Sequence, residues 1–290
     1  MAVFGPTASG KSAVADALAD RLDTEVVSAD AMQVYRGLPI LTNQPSRQGV
    51  PTRLVGIWPL SHAGSVGEYE PLAHEAIDEL VAASGHAVVA GGTGLYLRAA
   101  LAKLELPPTV EPAVRQRWDD AYAADATAAY AALEARDPRA AALVHPNDRR
   151  RVVRALELSD VGGSLAPDRD RLWGEQTRYP TVIVGLDVPA AELDRRIAAR
   201  TAEMFERGVV DEVCSALAGP VSKTAEKALG LREVAELDPD QAMQRIVART
   251  RQYAAYQRKW MRRIPGLVMV DATRPVAEVV DAILEVARAR

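Results

Sequence analysis

The amino-acid sequence predicts an α/β fold: a parallel sheet with helices on both faces and an inserted helical domain. Three features of its 290 residues carry that expectation. Several short apolar runs do not alternate with polar residues, and each leads into a helical pattern. A glycine-rich loop separates the first such run from the first helix. A long Ala- and Arg-rich block contains no strand pattern at all. Strands buried on both faces read as continuous apolar runs, and parallel strands return through helices.

The first strand is Ala2 to Phe4, followed by the loop at Gly5 and a helix from Lys11 to about Arg21. Thr24 to Ser28 is β-branched and leads to Asp30. His86 to Ala90 is the third strand and ends at Gly91-Gly92. Thr181 to Leu186 is the fourth; helical periodicity then runs from Pro189 to Arg207, with the proline suited to a first helical turn. Leu267 to Val270 is the fifth, followed by a helix from Val276 to Ala287. Between strands three and four, Glu111 to about Leu158 has helical spacing with breaks at Pro138 and Pro146. The expected organisation is a core of residues 1–107 and 180–290 with a helical insertion over 108–179, the return linker running from Gly162-Gly163 to Pro180.

Composition narrows the function. Apolar residues are 48% and charged residues 26%, enough for a buried core and against general disorder. The net charge of −4 excludes a global basic field, so any RNA site must be a local patch. The single cysteine, Cys214, permits no intramolecular disulfide, fits a reducing cytosol, and is expected in a helix core. His62, His74, His86 and His145 are scattered without zinc spacing. No apolar run approaches the roughly 20 residues of a membrane helix. No signal peptide precedes the loop. A strand is usually about five residues, so the native start is expected slightly upstream of Met1.

Gly5, Pro6, Thr7, Ala8, Ser9, Gly10, Lys11 and Ser12 fit G-x-x-x-x-G-K-[ST]. The glycines let the backbone wrap phosphate oxygens with N–H groups turned inward, and the helix N-terminus adds positive potential. Lys11 neutralises phosphate charge, and the Ser12 hydroxyl can hold magnesium. The pattern follows a strand and opens a helix, as that mechanism requires. It does not say whose phosphates are bound.

Ligands of parallel sheets lie at the carboxyl ends of the strands. Asp30, Thr93 and the arginines Arg195, Arg196 and Arg200 all fall at or just after such ends. Asp30 could be a general base, a magnesium partner or a helix N-cap. Thr93 could donate to a phosphate or a carboxylate, or cap a helix. Arg200 could hold a leaving diphosphate or lie on a solvated helix face. Two basic patches complete the set. Arg149, Arg150, Arg151 and Arg154 open a helix in the insertion. Arg251, Arg258, Lys259, Arg262 and Arg263 share a late helix with Tyr253, Tyr256 and Trp260. Cations interleaved with aromatics suit RNA backbone and unstacked bases, although a basic helix face can also be merely solvated.

Taken together, six segments resemble the tRNA dimethylallyltransferases, also called tRNA isopentenyltransferases. They are G-P-T-A-S-G-K-S from Gly5, S-A-D-A-M-Q-V-Y-R-G from Ser28, G-G-T-G-L-Y from Gly91, H-P-N-D-R-R-R-V-V-R-A-L-E from His145, A-L-G from Ala228, and Gln257 with Trp260 and Arg262. The resemblance spans nearly the whole chain. It implies a P-loop NTPase-like core with a helical insertion, and transfer of a dimethylallyl group from dimethylallyl diphosphate to the exocyclic N6 amine of the adenosine 3′-adjacent to the anticodon in tRNA. It implies Thr7 to Ser12 as the diphosphate site with Mg²⁺ at Ser12, Asp30 as general base, and Thr93 and Arg200 beside the reacting groups. Asp30, Ala31, Met32 and Gln33 would line the adenine site. Thr93, Arg115, Arg150, Arg151, Val152, Val153, Arg154, Lys227, Gly230, Arg232, Gln257, Arg258, Trp260 and Arg262 would contact tRNA. A cytoplasmic monomer of the bacterial type is expected, since the chain ends at Arg290 without the zinc finger frequent in eukaryotic relatives. Three places depart from the family pattern. Gln44 stands where a lysine is common, Leu231 where a tyrosine is common, and Ala255-Tyr256 where two basic residues are usual. Two rivals share the loop: a small-molecule or nucleoside kinase, and a nucleotide-dependent RNA-binding switch. Neither a purine-binding motif nor a guanine-reading N-K-x-D motif is found.

Overall fold

Residues 1–45, 49–104, 108, 110–166 and 176–289 are described by the structure, a computed structural model. Packing divides the chain into two units, Met1–Leu104 with Trp173–Arg290, and Glu105–Leu172.

The larger unit is built on six parallel strands: β1 (Ala2–Phe4), β2 (Val26–Ser28), β3 (Thr52–Arg53), β4 (Val88–Gly91), β5 (Ile183–Asp187) and β6 (Val268–Asp271), in the order β3-β2-β4-β1-β5-β6. The strand period of two sorts the apolar runs onto two faces. Val3, Val26 and Val88 point into one core with Val14, Leu18, Leu193, Ile197, Val279 and Ile283. Phe4, Val27 and Val89 point into the other with Tyr69, Ile77 and Leu97. The first core is roofed by α1 (Lys11–Arg21), α8 (Ala190–Glu206) and α12 (Val276–Arg288), the second by α2 (Val66–Ser84) and α3 (Gly94–Leu101). A third apolar cluster joins Leu38 and Leu41 to α8, α9 (Val209–Leu217), α10 (Leu231–Glu236) and α11 (Pro239–Met261), through Met204, Val213, Leu231 and Ile246. Leu231, which replaces the family's tyrosine, is buried there.

Several sequence expectations are corrected. The edge strand β3 was not anticipated, because two half-buried residues carry no periodicity. The second strand starts at Val26 rather than Thr24, because the Thr24 amide closes α1 by donating to the Ala19 carbonyl at 2.9 Å. Cys214 is exposed, not in a core; it follows the buried Val213 and so points off the apolar face of α9. Arg178 and Tyr179, expected in the linker of the insertion, dock on the larger unit. The Arg178 amide donates to Leu101 O at 2.8 Å, and both side chains hold Asp78.

The smaller unit contains α4 (Pro112–Ala124), α5 (Ala126–Arg136), α6 (Pro138–Ala141) and α7 (Arg149–Asp160). Asp125, Asp137 and Asp148 cap the last three, each carboxylate accepting a backbone N–H. Pro138 starts α6 rather than merely ending its predecessor. In α7, Val152, Ala155 and Leu156 recur at helical spacing and pack on Leu133 and Ala140, which turns Arg150 and Arg151 outward. Among the described residues no helix is long and apolar enough to cross a membrane.

Candidate active site

β1 lies between β4 and β5, so the loop after Phe4 leaves from the middle of the sheet's carboxyl edge. Ala8 (φ 63°) and Gly10 (φ 88°) both take the left-handed conformation that folds the loop back on itself before α1 opens at Lys11. Lys11 Nζ donates to Pro6 O at 2.8 Å. Burial lowers the Lys11 ammonium from 10.5 to about 8; Asp30 opposes that shift and Arg200 adds to it. A cation held against desolvation with one carbonyl partner is ready for an anion, whose charge would restore its proton affinity.

Asp30 follows β2 at the same edge. Its Oδ1 accepts from the amides of Met32 (2.9 Å) and Gln33 (3.4 Å). The capping alternative is therefore realised at one oxygen. The other oxygen makes no hydrogen bond among the described residues, and Asp30 faces the same cleft as Lys11, Ser12 and Thr93. Cap and base are compatible roles for one carboxylate here. The Gln33 amide is committed: it accepts from Ser28 Oγ at 2.8 Å and donates to Asn43 O at 2.8 Å. Gln44, at the position of the family's lysine, ties the same turn by donating to Tyr35 O at 2.7 Å.

The Gly91–Gly94 segment explains its own composition. A Cβ on Gly91 would lie 2.1 Å from Ala29 O, one on Gly92 2.2 Å from Gln257 Nε2, and one on Gly94 2.1 Å from the Trp260 ring. Helix α11 thus lies directly on this loop. From the same helix, the Tyr253 hydroxyl stands 3.5 Å from Thr93 Oγ1. Tyr253 is partly open to solvent, but desolvation at the cleft raises its phenol to about 12, so it remains a neutral hydroxyl at ordinary pH. Arg200 reaches from α8 to donate to Thr7 Oγ1 at 3.1 Å.

These groups share a cleft of about 840 Å³. Among the described residues its lining includes the cations Lys11, Arg196, Arg200, Lys227 and Arg249 against the acids Asp30 and Glu203, with an apolar wall of Met32, Leu41, Met204, Leu229 and Ile246. An anionic head and an apolar tail could bind side by side. No group of three or more His, Cys, Asp or Glu side chains able to hold a metal occurs among the described residues. The hard oxygens of Ser12 and Asp30 do border the loop together, which fits a magnesium ion that keeps waters and relies on ligand phosphates rather than on a protein cage.

The residues expected to contact tRNA divide by exposure. Arg115, Arg150, Arg151, Lys227, Arg232 and Arg262 are exposed, and Arg154, Arg258 and Trp260 are half-buried. Val152, Val153, Gly230 and Gln257 are buried. Val152 and Val153 are packing residues of α7, Gly230 supplies the left-handed turn (φ 98°) before α10, and Gln257, which lines the cleft, spends both ends of its amide on backbone partners. Arg154 and Arg115 both approach the buried Glu157, at 2.8 and 3.6 Å, and Arg151 lies 3.8 Å from Asp148. Arg150 makes no ion pair among the described residues. Sequence reading left out Tyr253 as a neighbour of Thr93. Its spacing of four from Gln257 on one helix was the available signal.

A parallel sheet whose phosphate loop, carboxylate and cations meet at one edge defines a P-loop-like enzyme core. Within that class the chain belongs to the IPP transferase family, whose profile matches residues 33–264; the isopentenyl transferase profile matches residues 1–53. It is 41% identical to the tRNA dimethylallyltransferase of Salinispora arenicola, over 99% of this chain and 87% of that protein. It is 42% identical to that of Streptomyces avermitilis, over 91% and 88%. The crystal structure of the tRNA isopentenylpyrophosphate transferase of Bacillus halodurans superposes with a TM-score of 0.71 at 30% identity, covering 99% of this chain and 94% of that one.

Proposed function

We propose that this protein transfers the dimethylallyl group of dimethylallyl diphosphate to the exocyclic N6 amine of the adenosine 3′-adjacent to the anticodon in tRNA, releasing diphosphate. The observation that carries the reading is the single cleft in which the Lys11 loop, the unshared oxygen of Asp30 and an apolar wall meet, in a member of the IPP transferase family.

The chemistry follows from those groups. The N6 lone pair attacks the allylic C1 as the C1–O bond to diphosphate breaks. The amine proton passes to Asp30, which makes a weak nucleophile competent as the bond forms. Negative charge grows on the departing diphosphate, where the loop amides, Lys11 and Arg200 stabilise it. The Ser12 hydroxyl would hold a magnesium ion, which when bound would supply further charge neutralisation at the leaving group. The apolar wall of Met32, Leu41 and Ile246 would take the prenyl tail. The target base must leave its stack to enter, as in other enzymes that act on a nucleobase. On the smaller unit Arg115, Arg150, Arg151 and Arg154 would take tRNA phosphates. The same reading takes the protein as a monomer acting in the cytoplasm.

The test is to mix the protein and tRNA with either dimethylallyl diphosphate labelled in the prenyl carbon or ATP labelled in the γ-phosphate. Label should move from the first to tRNA and not from the second. Phosphoryl transfer without prenyl transfer would replace this reading with the kinase alternative.

A further inference from the structure

We infer that Gln257 is a positioning residue for the transfer step: its side-chain amide ties the donor's phosphate loop to the acceptor loop that carries Thr93. The inference rests on the prenyl-transfer reading above but assigns Gln257 a part different from the RNA contact that the family resemblance implies. Gln257 is 2% exposed. Its Oε1 accepts from the Thr7 amide at 2.7 Å, and its Nε2 donates to Gly92 O at 2.9 Å. The first partner is 250 positions away in the chain and the second 165, so one buried amide joins two loops that the sheet edge only places side by side.

Three details give the tie its consequence. Thr7 is held twice, by Gln257 at its amide and by Arg200 at its hydroxyl, so Gln257 also fixes the oxygen on which Arg200 rests. Gly92 has no room for a side chain because the Gln257 amide occupies that space. One helical turn before Gln257, Tyr253 meets Thr93, so α11 presents side chains from two successive turns of one face to the reacting site. The transfer needs the allylic carbon and the amine in near-attack geometry, and small misplacements of such groups are costly in rate. A strut between the loop that holds the leaving group and the loop beside the acceptor sets that distance through its two backbone partners.

The test uses the full-length protein with Gln257→Glu and Gln257→Ala. Glutamate keeps size and shape, and its chemistry makes the test specific. Ionised, it accepts from the Thr7 amide but opposes the Gly92 carbonyl and the departing diphosphate. Protonated, it restores both bonds. Burial raises a carboxyl group's affinity for protons. The ratio of Gln257→Glu to wild-type single-turnover rate should therefore climb as pH falls from neutrality toward the acid range. At neutral pH kcat should drop about tenfold or more in either variant, the scale of one or two lost buried hydrogen bonds. The KM for dimethylallyl diphosphate should rise, and tRNA affinity and its salt dependence should stay as in wild type. If instead tRNA affinity falls while kcat holds, Gln257 is an RNA contact and the inference fails. If both variants only melt earlier, with kinetics and pH ratio unchanged, the amide is merely structural and the inference also fails. Should Gln257→Ala not fold, the pH ratio of Gln257→Glu still decides. Absence of prenyl transfer by the wild-type protein would overturn the underlying function, an outcome distinct from either.

Discussion

Replacing Asp30 with asparagine separates its two uses. The turn that follows Asp30 depends on Oδ1, which accepts from the Met32 and Gln33 amides, and an asparagine carbonyl can take both. Asn and Asp cap almost equally, so unfolding free energy should change by only a few tenths of a kcal/mol. The second oxygen becomes an NH₂ that cannot accept a proton. Loss of a positioned base is expected to slow the chemical step by about 10²- to 10⁴-fold, or about 2.7 to 5.4 kcal/mol of barrier. A second effect follows from the charge. Asp30 raises the proton affinity of Lys11, so Asp30→Asn should drop Lys11 below its value of about 8 and weaken donor binding near neutrality. The assay is therefore single-turnover transfer with saturating donor, run roughly one to two pH units below that value so that Lys11 stays charged. A tRNA-binding measurement runs beside it. A near wild-type rate for Asp30→Asn would leave Asp30 as a cap alone and require another base.

Other perturbations probe the rest of the site. Lys11→Ala should nearly abolish transfer and weaken prenyl diphosphate binding, read by titration calorimetry; unchanged affinity would remove the loop from the donor site. In the wild type, binding should take up protons and lose affinity as pH rises through about 8, because Lys11 is charged below that value and the bound anion favours the charged form. The sign for folding is opposite. Without ligand the folded state binds fewer protons than the unfolded state between about 8 and 10.5, so the desolvation cost of Lys11 is full below about 8 and is relieved as pH rises across that window. Neutralising Arg150, Arg151 and Arg154 should flatten the salt dependence of tRNA binding by roughly 0.7 to 0.9 per lost phosphate contact, while donor affinity stays put. Arg150, exposed and without an ion pair among the described residues, should contribute most, and a wild-type slope would return all three to a solvated face. Gly94→Ala should destabilise the fold by about 1 to 3 kcal/mol in chemical denaturation, because the new methyl would lie 2.1 Å from the Trp260 ring; a wild-type midpoint would refute the close packing of α11.

Local pattern alone determined the start of this protein. A short apolar run, a G-x-x-x-x-G-K-S loop and helical spacing are all set within one stretch of chain, and the structure places α1 at Lys11–Arg21 as that stretch predicts. Family membership was legible for the same reason, since motifs are local strings. Tertiary structure decided everything that depends on distant partners. Whether Asp30 caps is not written in its neighbours; the structure shows one oxygen accepting from the Met32 and Gln33 amides and, among the described residues, no hydrogen bond at the other. Gln257 is marked in the sequence by the family motif as an RNA contact, and only the fold brings it to Thr7 and Gly92. Val152 and Val153 sit inside an arginine-rich motif, and only the packing of α7 shows that they face inward. Strand β3 exists because β2 offers an edge, not because Thr52 and Arg53 favour a strand. Side-chain identity fixes what a group can do, but burial and the partner at the other end of a hydrogen bond fix what it does, and those come from residues far away in the chain.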